Sequence, residues 1–254
     1  MSTYDSCSAG EGVAFHHLHQ DFDESLLACF YNEVLAPAFN ADELGTFEWF
    51  ARGLRDDGEV LASVALGREG EVLGGLVATR HRGSGVLLLS YLVVRVEVRR
   101  RGIGTLLLRE VAPQWYADPT VLLALGEVHD PRYWSGVPGE DPVARLRLYG
   151  RLGARVLATP FIQPALKPES NRVRGFLLLV AHVAPEACVV RAGQTRIHAN
   201  LIHSFVRHYY EAAEGIIDPE DAELSWLLRY IEGQSEIPLL PVHDYQCVPV
   251  SLEP

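Results

Sequence analysis

The chain has 254 residues, of which 48% are hydrophobic and 22% are charged, and this composition excludes an intrinsically disordered protein. Acidic residues outnumber basic ones by 33 to 22, giving a formal net charge of -11, so nucleic-acid binding is disfavoured because it needs a basic face. An acidic surface suits a cationic partner such as an amine, although many proteins are acidic for solubility alone.

The first 58 residues predict one strand and two helices. Val13 to His19 forms the strand, and Asp21 with Glu24 three residues later resembles the capping box that opens a helix. Apolar residues at helical spacing follow at Leu27, Phe30, Tyr31 and Val34. A second helix is predicted from Ala41, because the same spacing recurs there, and Gly58 ends it.

Three strand-like runs come next, separated by short turns that contain glycine. They are Val60 to Leu66, Val72 to Thr79 and Val86 to Val94. Such turns between strands indicate antiparallel hairpins. The third run is almost continuously apolar, which is typical of a strand buried on both faces, so we expect it at the centre of the sheet.

Helices and strands then alternate up to residue 183. The predicted elements are a helix from Thr105 to Tyr116, a strand from Val121 to Val128, a helix from Val143 to Gly153, and strands from Ala154 to Ala165 and from Arg174 to Val183. The order β-α-α-β-β-β-α-β-α-β-β predicts an α/β domain with a mixed, mostly antiparallel sheet over residues 1–183.

Residues 184–254 predict a C-terminal extension. Two segments with apolar helical faces form a helical hairpin, and Asp218 followed by Pro219 resembles a helix start. The tail from Ile237 carries three prolines and is predicted to be an extended segment on the surface. The sequence leaves the role of this extension open, including the formation of a homodimer.

The sequence predicts neither a leader nor a membrane span. The opening residues, Met1 to Cys7, have no basic start and no apolar run, and no later segment approaches ~18 uninterrupted apolar residues. We therefore expect a cytoplasmic protein that makes no membrane contact.

Neither the cysteines nor the histidines have the spacing of a metal site. The four cysteines are widely scattered. Two groups of histidines stand closer together, but within each group the side chains point in different directions: His16, His17 and His19, and His198, His203 and His208. We expect no bound metal.

The segment that follows the central strand predicts a phosphate site. A strand leading through a glycine-containing turn into a helix presents unpaired amides and the positive end of the helix dipole. Gly102 and Gly104 allow the backbone to approach an anion, and three arginines add charge. A dinucleotide-binding loop would need glycine at Leu107, and a P-loop would need Gly-Lys-Ser/Thr. The alternative interpretation of this segment is a basic turn that is exposed to solvent and binds no phosphate.

Two short motifs occur together in this region. The first has the form Arg-x-x-Gly-x-Gly and consists of Arg99, Gly102 and Gly104. The second is Leu148-Tyr149-Gly150-Arg151-Leu152-Gly153-Ala154. At this spacing, and within this order of strands and helices, the sequence resembles the GCN5-related N-acetyltransferase (GNAT) family. The resemblance covers Val13 to Val183 and implies the GNAT acyl-CoA N-acyltransferase fold.

The resemblance also implies how a cofactor is held. Acetyl-CoA would be the acyl donor, the backbone of Val94 and Val96 would pair with its pantetheine arm, and the amide of Leu92 would polarise the acetyl carbonyl. Many members carry proline at the position of Val96. The residues that would hold the pyrophosphate are Arg99, Arg100, Arg101, Gly102, Ile103, Gly104 and Thr105.

Acetyl transfer to an amine needs a neutral amine, a stabilised oxyanion and a protonated leaving thiolate. Tyr149 stands at the position of the family's general acid. Leu88 stands where histone-type members carry a glutamate that acts as the general base. Leucine cannot accept a proton, so the histone-type mechanism is disfavoured. Glu127, late in its strand, is the preferred base or amine-binding group, although it can also simply end the strand in solvent. The alternatives are His129, Asp130 and Tyr91, and residues 130–134 are expected in the acceptor wall.

Together these features predict an N-acetyltransferase that moves an acetyl group from acetyl-CoA to a primary amine by direct attack. A small-molecule amine ranks above a protein amino group because of Leu88 and the acidic charge. Other hypotheses remain: a protein N-acetyltransferase, a transferase for a longer acyl group, a non-catalytic acyl-CoA sensor, or an interaction protein that dimerises through the helical hairpin.

Overall fold

The structure is a computed structural model that describes residues 12–40, 42–137 and 141–250. The predicted start of the second helix at Ala41 lies outside these residues. None of the helices within the described ranges has the length and apolar character needed to cross a bilayer.

The described residues contain ten strands, which form one sheet in the order β1-β2-β3-β4-β5-β7-β6-β10-β9-β8. Their bounds are β1 Ala14–His17, β2 Val60–Leu66, β3 Val72–His81, β4 Val86–Val94, β5 Leu123–His129, β6 Arg155–Leu157, β7 Phe176–Val183, β8 Cys188–Arg191, β9 Gln194–His198 and β10 Glu236–Pro241. Strands β4 and β5 pair in parallel, whereas β5 and β6 each pair antiparallel with β7. The sheet is mixed, as predicted.

The α-helices flank this sheet. Their bounds are α1 Glu24–Phe30, α2 Phe47–Arg52, α3 Ile103–Leu106, α4 Ala112–Tyr116, α5 Pro131–Trp134, α6 Pro142–Arg151, α7 Ala199–Glu214 and α8 Ala222–Glu232. A π-helical turn, Leu107–Val111, joins α3 to α4, so the chain is helical from Ile103 to Tyr116. The helix predicted after the Arg/Gly segment is therefore present.

Side-chain caps fix where the first two helices begin and correct the predicted boundaries. Asp23, rather than Asp21, caps α1 by accepting a hydrogen bond from the Leu26 amide at 3.0 Å. Thr46 caps α2, so that helix begins at Phe47. In both cases the cap adjoins the first apolar turn of the helix, and a side-chain acceptor there satisfies an amide that the helix cannot.

The chain divides into two compact units. The first contains residues 12–39, 46–78 and 91–115, and the second contains residues 40, 42–45, 79–90, 116–137 and 141–250. The predicted division at residue 183 falls inside the second unit. Strands β3 and β4 contribute residues to both units.

The core of the first unit forms where α1 and α2 meet aromatic side chains and strand β3. Phe30 and Phe50 are fully buried. Gly75 allows Phe30 to pack closely on β3, because a Cβ atom at Gly75 would lie only 2.5 Å from the Phe30 ring. Tyr91 packs against Phe50 and Phe39, with ring centroids 5.5 and 5.1 Å away.

The core of the second unit lies between the sheet and the two C-terminal helices. Leu88 of β4 is 2% exposed and packs in one apolar cluster with Leu125 of β5 and Leu178 of β7. Phe205 of α7 and Leu227 of α8 belong to the same cluster. The C-terminal helices therefore cover the sheet and bury its apolar face.

The tail predicted to be extended on the surface is instead partly inside the sheet. Strand β10 pairs with β9 through residues 236–238 and with β6 through residues 239–241. Ile237 is fully buried and Leu239 is 3% exposed. Each part of β10 pairs with one neighbour at a time, so Pro238 and Pro241 can be accommodated although they donate no hydrogen bond.

Three further features of the C-terminal half differ from prediction. The predicted strand from Ala154 to Ala165 is regular only over β6, because Pro160 and Pro164 cannot donate to a sheet ladder. Strands β8 and β9 form a hairpin that the sequence analysis missed. Helix α8 is capped by Asp221, rather than by Asp218.

Arg172 ties the segment that follows β6 to the C-terminal helices. Its guanidinium forms ion pairs with Glu214 at 2.6 Å, with Glu223 at 3.2 Å and with Asp221. It also lies over the ring of Tyr210, 4.9 Å from the centroid. This network fixes residues 163–173 against the ends of α7 and α8.

Candidate active site

The turn that precedes α3 presents a row of unpaired amides. Within the described ranges, the amides of residues 100–105 donate no hydrogen bond, and the first paired amide is that of Leu106, which donates to the Gly102 carbonyl at 2.9 Å. Arg100 and Gly102 have left-handed backbones, with φ of 66° and 84°. Gly102 caps the helix without a side-chain acceptor. Such a turn, at the positive end of a helix, forms a concave site for an anion.

The three arginines of this turn differ in their contacts. Arg99 donates from Nε to the carbonyl oxygen of Val94 at 3.1 Å, which ties the turn to the end of β4. Arg100 and Arg101 are exposed and form no ion pair with any residue that the structure describes. Their charges therefore remain available to an anion bound at the turn.

The residues predicted to contact the pantetheine arm lie beside the start of α3. A Cβ atom at Gly104 would lie 3.6 Å from the Val94 side chain and 3.9 Å from that of Leu92, so α3 begins close to the end of β4. Val96 lies beyond the strand in a single 3-10 turn, Val96–Val98, and is 67% exposed. The structure thus brings Leu92, Val94 and Gly104 together and leaves Val96 at the surface.

Glu127 is a shielded carboxylate on β5. Its Oε2 atom accepts hydrogen bonds from Gln163 Nε2 at 2.8 Å and from the Tyr209 hydroxyl at 3.4 Å. The residue as a whole is partly buried, but its Oε1 atom is shielded from solvent and accepts no hydrogen bond from the described part of the chain. A carboxylate in this position does not simply end the strand in solvent.

Burial raises the pKa of Glu127 to about 7, because the charged form loses its hydration. The hydrogen bonds from Gln163 and Tyr209 favour the charged form, while the negative charge of Glu43 opposes it. A carboxyl group with a pKa near neutrality can accept a proton at physiological pH and release it again. This property makes Glu127 suitable as a general base.

The sequence does not predict Gln163 and Tyr209 as site residues. Gln163 is 5% exposed, and its backbone exchanges two hydrogen bonds with Val173, at 2.9 and 3.0 Å. Tyr209 lies on the buried face of α7, in the C-terminal extension. The apolar pattern of α7 predicted its burial, but no sequence signal placed either residue beside Glu127.

His129, at the end of β5, forms part of an aromatic wall. Its ring stacks on Trp134 with centroids 3.9 Å apart and an interplanar angle of 9°, and Phe176 lies 4.8 Å away. Its Nε2 atom lies 3.5 Å from Glu43 Oε1. Burial would raise the pKa of Glu43, but His129, a hydrogen bond from Asn40 and nearby positive charge together hold it below its usual value.

Asp130 and Tyr91 are engaged in structural contacts. Asp130 is 2% exposed, accepts a hydrogen bond from the Arg132 amide at 2.9 Å as the cap of α5, and pairs with the Arg132 guanidinium at 2.6 Å. Arg132 in turn donates to the Val248 carbonyl at 2.8 Å. Tyr91 is 6% exposed in the aromatic core of the first unit.

Tyr149 lies on α6 and packs partly buried against an apolar cluster that includes Leu146 and Leu177. Burial raises its pKa, and the charge of Arg145 acts in the opposite direction. Its hydroxyl makes no hydrogen bond within residues 12–40, 42–137 and 141–250. The proton of this phenol is therefore not committed to a structural contact.

A comparison with protein families identifies the first part of the chain. Residues 17–132 match the model of the acetyltransferase (GNAT) family. These residues, somewhat less than half of the chain, are similar to a GNAT acetyltransferase domain. The protein is accordingly an acyltransferase. Tyr149, Gln163 and Tyr209 lie beyond the matched range.

Three solved structures are similar to the chain at low sequence identity. A Bacteroides thetaiotaomicron protein assigned to the GNAT family is 14% identical, with a TM-score of 0.53, and the match covers 80% of this chain and 99% of that one. Arabidopsis thaliana NAA60, solved with a bisubstrate analogue, is 16% identical over 66% and 96% of the two chains, with a TM-score of 0.45. The Escherichia coli ribosomal-protein-S18-alanine N-acetyltransferase is 14% identical over 70% and 99%, also with a TM-score of 0.45. No curated protein sequence matched the chain.

The first of these likenesses shows the GNAT fold, which confirms the predicted fold class. GNAT acetyltransferases use acetyl-CoA, whose diphosphate needs hydrogen-bond donors and positive charge. The turn at residues 99–105 offers both, in unpaired amides and exposed arginines. The residues present therefore fit the diphosphate of this donor.

Proposed function

We propose that the protein transfers an acetyl group from acetyl-CoA to the primary amine of a small molecule by direct attack. The observation that carries this proposal is Glu127, a shielded carboxylate with a pKa of about 7 and one oxygen without a donor. A group of this kind can take a proton from an amine at neutral pH.

Acetyl-CoA is the proposed donor, and its thioester supplies an activated acetyl group. The amides of residues 100–105 and the side chains of Arg100 and Arg101 would hold its diphosphate, as the unpaired amides of the turn suggest. The backbone of Leu92 and Val94 would contact the rest of the donor. Val96 would contribute less than the family pattern implies, because it lies outside β4.

Proton transfer at the acceptor is assigned to Glu127. An alkyl amine has a pKa of about 10.4, so it arrives as an ammonium ion and must lose a proton before its lone pair can attack. Glu127 would take that proton. Leu88 is buried in the apolar core and offers no base on β4.

Proton transfer at the leaving group is assigned to Tyr149, which would protonate the thiolate. The attacking nitrogen loses a second proton as the amide forms, and this proton restores the phenol through solvent. The overall reaction converts an ammonium ion and a thioester into an amide, a thiol and one released proton. Tyr149 suits this role because its hydroxyl makes no competing hydrogen bond among the described residues.

A small cationic acceptor is preferred over a protein amino group. The chain has a net charge of -11, and the charge of Glu43 adds to that of Glu127. His129 and Trp134 would form an aromatic wall of the acceptor site. We leave Asp130 and Tyr91 out of this site because their side chains serve the fold. A cytoplasmic location is part of the same proposal.

The test is a screen of primary amines with acetyl-CoA at pH 8, followed by the release of free thiol. We expect turnover with at least one amine, and a fall of about 100-fold or more for Glu127→Gln at unchanged affinity for acetyl-CoA. The exposed Glu186→Gln variant is the matched control. Binding of acetyl-CoA without turnover of any amine would favour a non-catalytic sensor instead.

A further inference from the structure

Two shielded oxygen atoms, on side chains that are hydrogen-bonded to each other, accept no hydrogen bond within the described residues. They are Glu127 Oε1 and Gln163 Oε1, and neither accepts a hydrogen bond from any residue the structure describes. Their parent groups are joined by the 2.8 Å hydrogen bond from Gln163 Nε2 to Glu127 Oε2. Native proteins rarely leave buried acceptors unpaired, so two such acceptors on hydrogen-bonded side chains call for a group that brings donors.

The orientation of the Gln163 side chain follows from its partner. An ionised carboxylate only accepts hydrogen bonds, so the Gln163 atom that faces Glu127 is the amide nitrogen whenever Glu127 is charged. Backbone hydrogen bonds with Val173 and the ion pairs of Arg172 hold this segment in place. The carbonyl oxygen of Gln163 is therefore kept available as an acceptor.

We propose that Glu127 Oε1 and Gln163 Oε1 together bind the ammonium group of the acceptor, and that Gln163 determines the specificity for primary amines. This inference rests on the proposed function. An ammonium group carries three donors and no acceptor, which complements two oxygens that both need donors. An alcohol offers a single donor and a quaternary ammonium offers none, so both are disfavoured.

The charges around this pair agree with a cationic ligand. Glu43 contributes negative charge to Glu127, and His129 is paired with Glu43. Tyr209 donates to Glu127, and His81 packs edge-on against the Tyr209 ring at 5.2 Å. Burial lowers the pKa of His81 to about 4, so this histidine is neutral at physiological pH. No lysine or arginine among the described residues hydrogen-bonds to Glu127.

The experiment compares the wild-type protein with Gln163→Met, which keeps the length of the side chain but removes its acceptor and donor. The probes are propylamine, 1,4-diaminobutane, 1,5-diaminopentane and 2-phenylethylamine at saturating acetyl-CoA. We expect the KM for the best amine to rise about 10- to 100-fold, while the KM for acetyl-CoA stays unchanged. Gln246→Met, at an exposed position, is the matched control and should leave both constants unchanged.

The pH profile reports on the hydrogen bond between Gln163 and Glu127. Loss of the Gln163 donor removes an interaction that favours the charged form of Glu127, so the pKa of Glu127 rises further. The acid limb of kcat/KM for the amine should therefore move to higher pH in Gln163→Met. Should that variant fold poorly, Gln163→Glu retains two acceptor oxygens and should move the limb in the same direction through like-charge repulsion.

The outcomes separate this inference from the proposed function. Turnover by the wild type, with the same amine KM and the same pH midpoint in Gln163→Met, would overturn the inference alone. An equal rise in the KM for acetyl-CoA would indicate a general structural effect and would overturn it as well. The absence of turnover with any amine by the wild type would overturn the proposed function and the inference together.

Discussion

At the scale of single residues, Gly102 carries the geometry of the proposed diphosphate site. Its φ of 84° is a left-handed conformation that costs a residue with a Cβ atom about 1–2 kcal/mol. We expect Gly102→Ala to shift the turn, to misalign the amides of residues 103–105 and to raise the Kd for acetyl-CoA about tenfold or more. Isothermal titration calorimetry measures this directly.

Gly70 provides the matched control for that substitution. It has a φ of 82° in the turn between β2 and β3, and no atom lies within 4 Å of the position of an added Cβ. Gly70→Ala therefore introduces the same backbone strain without touching the proposed site. Equal affinities of Gly70→Ala and Gly102→Ala for acetyl-CoA would argue against the proposed site.

Tyr149 is the residue proposed to protonate the leaving thiolate. General acids contribute about 10²- to 10⁴-fold to a reaction rate, so we expect Tyr149→Phe to lower kcat about 100-fold and to leave the affinity for acetyl-CoA unchanged. Tyr245, a partly buried tyrosine packed on the same cluster, gives the control variant Tyr245→Phe. A kcat of Tyr149→Phe equal to that of the control would remove Tyr149 from the mechanism.

The proposed site could be predicted from the sequence only in part. The position of Glu127 late in a strand favours it as the base, and the structure shows that its carboxylate is shielded. Its partners Gln163 and Tyr209 are 36 and 82 residues away along the chain. The burial of a carboxylate depends on such distant contacts, and local periodicity does not contain them.

At the scale of elements, strands bounded by glycine turns were the easiest to predict. The bounds of β2 and β4 agree with the predicted Val60 to Leu66 and Val86 to Val94. Strand β10 was missed because Pro238 and Pro241 indicate an irregular segment, while Ile237 and Leu239 alternate as a half-buried strand does. Whether this segment forms a strand depends on its pairing with β6 and β9, which lie far away along the chain.

Strand β10 gives a test of how far the C-terminal tail stabilises the fold. Ile237 is fully buried, so Ile237→Ala should lower the free energy of unfolding by about 2–5 kcal/mol. Val190 on β8 is 68% exposed, so Val190→Ala should change the free energy of unfolding by less than about 0.5 kcal/mol. Urea unfolding monitored by circular dichroism compares the two. Equal stabilities would contradict the place of β10 in the sheet.

At the scale of the whole molecule, the acetyltransferase family explains only part of the chain. The match ends at residue 132, whereas the second compact unit continues to residue 250 within the described chain. The family resemblance was predictable from two motifs. The two motifs do not predict that α7 contributes to the surroundings of Glu127, because the C-terminal extension lies outside the family resemblance.

The pKa of Glu127 also predicts how the stability of the whole protein depends on pH. Burial raises this pKa from 4.5 in the unfolded chain to about 7, so the folded state binds more protons between these values. The stabilisation is fully present below pH 4.5 and is lost as the pH rises through about 7. The free energy of unfolding of Glu127→Gln, relative to that of the wild type, should therefore be about 3 kcal/mol higher at pH 7.5 than at pH 4.5. Urea unfolding at both pH values checks this, and a constant difference would contradict it.

The most direct test of the account is the pH dependence of kcat/KM for the amine at saturating acetyl-CoA. Since Glu127 must be ionised to take a proton, and kcat/KM reports the enzyme before the amine binds, we predict that kcat/KM of the wild type rises with pH through a midpoint of about 7. Glu127→Gln should lack this limb and be about 100-fold slower at pH 8. A Glu127→Gln variant with the same profile and rate as the wild type would contradict the central claim.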